Sequence, residues 1–176
     1  MRYILILMAS ALIGIVPSQA FAQFSSDSSA DTVLYADNTV QSDGVVSLKG
    51  QADIRQGDVR LLADSVQIFT ADGQGGGLSS TDGITRVVAN GNFYYITPDQ
   101  EVRGKKGVYT RETDTFVVTG DVVLLQEDSV VTGSRLNYNL TTGAAEVTGS
   151  CKGRRCGKDG RVAILIRSTN SAQGSN

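Results

Sequence analysis

The sequence predicts an all-β protein, an elongated twisted β-jelly roll made of stacked antiparallel strand repeats. The composition is the first indication, because 20 of the 176 residues are Gly, only 2 are Pro and none is Trp. Such a composition, together with frequent Val and Thr, favours short twisted strands and tight turns over helices. The second indication is period-two alternation of apolar residues, and the third is repetition of that pattern in register along the chain.

The alternation is clearest between Thr115 and Tyr138. Phe116 and Val118 precede Gly120, and Val122 and Leu124 follow it, each separated by one residue from its neighbour. A polar turn comes next, and the chain then resumes as VVTGSRLNY. The pattern is typical of a strand with a Gly-marked bend, a turn and a second strand.

Three copies of this unit align without gaps when Gly50, Gly91 and Gly120 are superposed, and Gly149 begins a fourth. The spacings between these marker glycines are 41, 29 and 29 residues, and an insertion at 71–82 accounts for the long one. Because a lone hairpin cannot bury enough apolar area to be stable, the units are expected to stack. A partial unit at 31–44 and an apolar terminal strand at 162–166 would end the stack.

One face of each predicted strand is apolar throughout. A marker Gly in mid-strand removes a side chain and permits a bend, so that the sheet can fold over an apolar interior. The predicted interior residues around the three markers are Val46, Leu48, Ala52, Ile54, Val87, Ala89, Phe93, Tyr95, Phe116, Val118, Val122 and Leu124. The residue pattern alone favours an ordinary packed core over a groove for an apolar ligand.

The N-terminus has the features of an export signal. Arg2 precedes an uncharged apolar run to Val16, and Ala20-Phe21-Ala22 resembles a cleavage site. The run is shorter than the about 20 residues that a membrane span needs, although an uncleaved anchor is the alternative. We therefore predict a signal peptide at 1–22, a disordered segment at 23–30, the β-domain at 31–167 and a disordered tail at 168–176.

Cys151 and Cys156, the only cysteines, lie in the Gly-containing stretch CKGRRC. In an exported protein such a pair predicts a disulfide that closes a turn, whereas redox catalysis and metal binding would require other spacings or further ligands. The segment after residue 150 carries a net charge of +5 and the rest −7. The basic cluster from Lys152 to Arg161 is either a solvated loop or a contact for an anionic partner.

Several classes of catalytic and metal site are excluded by the residue types that the sequence lacks. The chain has no His, which removes the usual triads and His-containing zinc sites. We assign the carboxylates Asp53, Asp58, Glu127 and Asp128 to turns, and equivalent repeat positions show no carboxylate cluster of the kind that an enzyme on a β-helix scaffold needs. The sequence therefore predicts no enzyme, cofactor or metal, and a net charge of −2 gives no drive toward nucleic acid.

Short motifs across about residues 31–166 resemble the OstA-like, or LptA-type, family of lipopolysaccharide-transport proteins. They are YADN at 35–38, VSLKG at 46–50, LLADSVQIF at 61–69, VRGKKGVY at 102–109, FVVTGDVVLLQEDSVVTGSRLNY at 116–138 and AEVTG at 145–149. The resemblance implies a periplasmic protein whose apolar groove shields lipopolysaccharide acyl chains on the way to outer-membrane assembly. It also implies end-to-end assembly with further copies and with inner-membrane LptC-like and outer-membrane LptD-like components.

The family's lipid path falls on the inward face of this chain. The residues expected to contact lipid are Leu34, Leu48, Ile54, Ile68, Phe93, Tyr95, Tyr109, Phe116, Val118, Leu124, Leu136 and Tyr138. Two alternatives remain at this point: an exported structural repeat protein with a closed core, and an LptC-like component that keeps a membrane anchor.

Overall fold

The structure is a computed structural model that describes residues 30–71, 83–151, 153, 155–157 and 160–167. It confirms the all-β prediction: in this part of the chain, ten strands form one antiparallel sheet that does not close on itself. The strands are β1 Thr32–Tyr35, β2 Asn38–Ser42, β3 Val45–Gln56, β4 Val59–Thr70, β5 Ile84–Ile96, β6 Gln100–Thr110, β7 Thr115–Gln126, β8 Ser129–Asn139, β9 Ala145–Thr148 and β10 Ala163–Ile166. Within the described ranges, no helix is long and apolar enough to cross a membrane.

The six long strands β3 to β8 pair in chain order, and two short strands complete each end of the stack. At one end, β1 pairs with the second half of β3 and β2 with its first half. At the other end, β9 pairs with residues 135–138 of β8 and β10 with residues 129–132. Each terminal rung is thus a long strand interrupted in the middle, and the partial unit predicted at 31–44 is the first of them.

The predicted corner lies at the marker glycines. Gly50, Gly91 and Gly120 have φ angles of 78°, 74° and 82°, and the residue after each also has a positive φ. The strand register shifts at these points, as expected of a β-bulge. A Cβ on each glycine would also come closer than 3.0 Å to the side chain of Asp37, Asp64 or Lys105, respectively. Backbone conformation and lack of space therefore both require Gly at the corner.

The corner divides the sheet into two facing walls. The first wall comprises β1, β10 and residues 52–56, 59–63, 93–96, 100–104, 122–126 and 129–133; the second comprises β2, β9 and residues 45–49, 65–70, 84–90, 106–110, 115–119 and 135–139. The ring of Phe116 on the second wall lies 5.2 Å from that of Tyr95 on the first, although β5 and β7 are not neighbours. The sheet is therefore folded over, with its apolar face inside.

The predicted interior residues form the core. Eleven of the twelve named around the marker glycines are buried, and Val87 is partly buried against them. Asp53 corrects the sequence interpretation, because it lies in β3 and not in a turn. Its carboxylate accepts hydrogen bonds from Arg60 and Arg55 at 2.7 Å each, and these hold the pKa of Asp53 well below its usual range.

The end of the domain agrees with the predicted terminal strand and disulfide. β10 lies within the predicted range, and Cys151 and Cys156 are bonded to each other. Residues 149–162 separate β9 from β10. At the equivalent place, β3, β5 and β7 continue through a bulge at their marker glycine. The predicted signal peptide, residues 23–29, insertion residues 72–82, the tail 168–176 and Lys152, Arg154 and Lys158 of the basic cluster lie outside the described residues.

Candidate functional site

The residues predicted to form a lipid path meet in one interior cluster. Ten of the twelve are buried, and Leu34 and Tyr109 are partly buried against them. They come from both walls, so the fold brings together every residue of the predicted set. Whether a residue in this cluster contacts a lipid depends on how far the walls can separate, because most of the interior is packed.

Three aromatic rings fill the centre of the interior. Phe93 is 0% exposed, and its ring centroid lies 5.5 Å from that of Phe116. Phe116 also packs against Tyr95, which gives a tilted aromatic cluster of the kind that adds to the stabilisation from buried area. Gly107 gives Phe93 its space, since a Cβ on Gly107 would lie 2.5 Å from the Phe93 ring.

A cavity lies beside this aromatic cluster, toward the side of the walls opposite the corner. The space within it that is open to a water-sized sphere is only about 10 Å³. A cavity of this size holds about one water molecule, far less than a pocket for a small ligand. The lining residues are Tyr95, Gln100, Val102, Phe116, Leu124, Gln126, Leu136, Tyr138 and Ala145. A lipid with several acyl chains could enter only if the two walls moved apart.

We call the side opposite the corner the mouth. The first wall ends there in the turns 57–58, 97–99 and 127–128, and the second wall in the turns 43–44, 111–114 and 140–144. At the mouth, Gln126 Nε2 donates a hydrogen bond of 3.2 Å to Gln100 Oε1. Tyr138 of the second wall lines the same cavity as these two glutamines. Polar side chains from both walls therefore meet beside the cavity.

These glutamines were missed by sequence reasoning, although the repeat register contains a signal for them. Six residues after the marker glycines come Gln56, Thr97 and Gln126, and nine after come Val59, Gln100 and Ser129. Five of these six side chains are polar, at positions that continue the apolar inward face. Gln56 and Thr97 are only 5% and 7% exposed. The inner face thus ends at the mouth in a polar row made of Gln56, Thr97, Gln100, Gln126 and Ser129.

Two tyrosines of the second wall keep neutral hydroxyls near the mouth. Burial raises the pKa of Tyr138, and burial together with the nearby Asp114 carboxylate raises the pKa of Tyr109. The Tyr109 hydroxyl donates to Asp114 at 3.3 Å. Both groups therefore stay protonated at neutral pH and can act as donors.

The last strand presents apolar side chains to solvent on both of its faces. Ile164, Leu165 and Ile166 of β10 are 65%, 58% and 73% exposed. β10 pairs with β8 on one side only. An edge strand of this kind is suited to pairing with a strand of another chain.

Comparison with known proteins assigns the family. Residues 29–144 match the family model described as LptA/(LptD N-terminal domain) LPS transport protein. The chain belongs to this family. Comparison with the sequences of characterised proteins finds no significant match. The family is one of transport proteins, in agreement with the prediction that the chain is not an enzyme.

A solved structure confirms the fold class. LptH from Pseudomonas aeruginosa, described as the LptA-homologous periplasmic component of the lipopolysaccharide transport device, matches with a TM-score of 0.63 and 18% identity. The match covers 82% of this chain and 100% of LptH. This similarity shows the jelly-roll architecture. Among the described residues, no group of three or more His, Cys, Asp or Glu could hold a metal ion.

Proposed function

We propose that the chain is a periplasmic bridge protein that holds the acyl chains of lipopolysaccharide between its two walls during transport to the outer membrane. One observation carries the proposal: a single row of apolar side chains crosses the inner face of the first wall from one edge strand to the other. By strand register the row is Leu34, Ile54, Leu61, Tyr95, Val102, Leu124, Val131 and Ile164. A core that only stabilises a domain has no need to continue to both open ends.

The physical basis of carriage is transfer of hydrocarbon out of water. Each buried CH₂ contributes about 0.8 kcal/mol, so a chain of a dozen carbons is held without any covalent step. A row without charged side chains would let the lipid pass along the stack, because it offers no strong point of attachment. The small cavity implies that the lipid is accommodated by separation of the walls about the corner.

Three features support a periplasmic location. The predicted signal peptide would export the chain, and the Cys151–Cys156 disulfide is stable in an oxidising compartment. The similar LptH is described as a periplasmic component.

The two edges of the stack support end-to-end assembly. β1 presents Val33 and Tyr35 at 43% and 54% exposure, and β10 presents its three apolar side chains at the other end. Pairing of β10 with the first strand of the next copy would join the inner apolar rows, since Leu34 and Ile164 are their terminal members. LptC-like and LptD-like components would bind the outermost copies at the inner and outer membranes.

Site-specific photo-crosslinking in cells tests lipid carriage. A crosslinking residue at Phe93 or Tyr109, both directed inward, should form an adduct that is recognised by antibody to lipopolysaccharide. The same residue at Gln67, which lies exposed on β4, is the matched control and should form none.

Absence of adducts at several inward positions, in a protein that accumulates normally, would contradict lipid carriage. It would favour the second candidate function, an exported structural repeat protein with a closed core. The packing of Phe93, Phe116 and Tyr95 is the observation that supports this second candidate.

A further inference from the structure

The polar row at the mouth is a systematic feature of the repeat and not an isolated substitution. Its members occupy positions six and nine residues after the marker glycines in three repeats, so they line up along the stack. Positions two, four and eleven after the same glycines hold apolar residues in all three copies. Burying an amide or a hydroxyl is costly unless it is hydrogen-bonded. The Thr97 and Ser129 hydroxyls are bonded within their turns, to the carbonyl oxygens of Gln100 and Gln126. The Gln100 and Gln126 amides instead bond to each other beside the cavity.

The chemistry of the row restricts what it can bind. Gln, Thr, Ser and Tyr supply neutral donors and acceptors, and the cavity beside them is lined, among the described residues, by uncharged side chains only. Phosphate and carboxylate groups are bound most strongly by Arg, Lys or clustered backbone N–H groups. Neutral amide, ester and hydroxyl groups match side-chain amides and hydroxyls, which can both donate and accept.

Side chains at the mouth have hydrogen-bonding capacity left for a ligand. Gln100 and Gln126 of the first wall and Tyr138 of the second wall line one cavity, and Gln126 Nε2 donates to Gln100 Oε1 at 3.2 Å. Two amides and one hydroxyl have more donors and acceptors than this one bond uses. When the walls separate, a polar group that enters with the ligand can bond to the remaining donors and acceptors.

We propose that Gln100, Gln126 and Tyr138 bind the polar linkages of an acylated lipid, the amide, ester and hydroxyl groups that lie between the hydrocarbon chains and the sugar head. The linkages lie at the mouth, the hydrocarbon lies toward the corner, and the head stays outside. This inference rests on the proposed function, and it adds both the linkage chemistry that is selected and the direction in which the lipid lies.

Binding of two synthetic amphiphiles to the purified mature protein tests this assignment. β-Hydroxymyristoyl glucosamide carries an amide and a hydroxyl at the head of its chain, and myristyl glucoside carries neither. The parent protein should bind the glucosamide about tenfold more tightly, as expected for one or two additional hydrogen bonds. The double variant Gln100→Leu/Gln126→Leu should lose this preference and bind the two amphiphiles alike.

Gln67→Leu is the matched control, because it makes the same chemical change on the exposed face of β4 and should keep the tenfold preference. Thermal unfolding of each variant shows whether the fold is retained. Equal affinities of the parent protein for the two amphiphiles, or a preference that survives in the double variant, would overturn the assignment and leave lipid carriage intact. Binding of neither amphiphile, together with absence of inward photo-crosslinks, would overturn both.

Discussion

Replacement of Phe93 by Ala should lower the free energy of unfolding by about 3–5 kcal/mol, the range for removal of a buried Phe side chain. Phe93 is 0% exposed and packs on Phe116, so the truncation removes its buried area and leaves a cavity between the walls. Urea denaturation of the mature protein, followed by circular dichroism, measures the change.

Tyr94→Ala is the control for this prediction, because the neighbouring side chain lies on the outer face of the same strand. Its ring is half-buried beneath Arg103, whose guanidinium carbon is 5.4 Å from the ring centroid. Loss of this contact should cost only about 1 kcal/mol. Equal losses for Phe93→Ala and Tyr94→Ala would show that the two walls are not packed against each other at the centre.

The double variant Ile164→Asp/Ile166→Asp should abolish the proposed end-to-end assembly. Burial of two isoleucines in an interface contributes about 1.5–3 kcal/mol each, so their loss weakens association by about 100-fold or more. Two carboxylates at the edge would also have to be desolvated in the assembly. Sedimentation velocity over a series of protein concentrations measures the association.

The fold should tolerate this double variant, since the two side chains are 65% and 73% exposed. Its melting temperature should therefore stay close to that of the parent protein. Gln67→Asp, which adds a charge on an exposed face away from the edges, should assemble normally. An assembly that is unchanged in the double variant would place the interface elsewhere than β10.

Much of the fold could be predicted because the same pattern, apolar alternation around a mid-strand Gly, occurs in three copies. Apolar alternation around Gly50, Gly91 and Gly120 identified the inward face, and the need for mid-strand glycines identified the corner. The structure shows why these glycines are required: each has a positive φ and lies against a side chain from a neighbouring segment. Period and register are local properties of a sequence, so they can be read without knowledge of the tertiary contacts.

The interruptions of the terminal rungs could not be predicted in the same way. β1 and β2 both pair with β3, and β9 and β10 both pair with β8, with residues 149–162 between the last two. No periodicity identifies which half of a long strand a short strand will join, because both halves offer the same backbone groups. The placement of the short strands depends on the position of the corner and on the path of the segment that connects them.

The candidate site was predicted for its apolar part only. Hydrophobic alternation identifies Phe93 and Leu124, but it gives no weight to Gln100 and Gln126, which continue the same inward face. Their position in one cavity with Tyr138 requires the two walls to face each other. The size of the cavity also depends on side-chain packing, which the residue pattern leaves open.

The proposal that acyl chains lie between the two walls is tested most directly by separation of the walls on lipid binding. Pulsed electron paramagnetic resonance can measure this separation. Spin labels at Asp99 and Glu112 would lie at exposed turn positions on opposite sides of the mouth, and labels at Asp58 and Asp99 would lie on the same side. On addition of lipopolysaccharide, the first distance should increase by about 4 Å, one layer of carbon in van der Waals contact, and the second should not change. Binding of lipopolysaccharide with no change in the Asp99–Glu112 distance would show that its acyl chains do not lie between the walls.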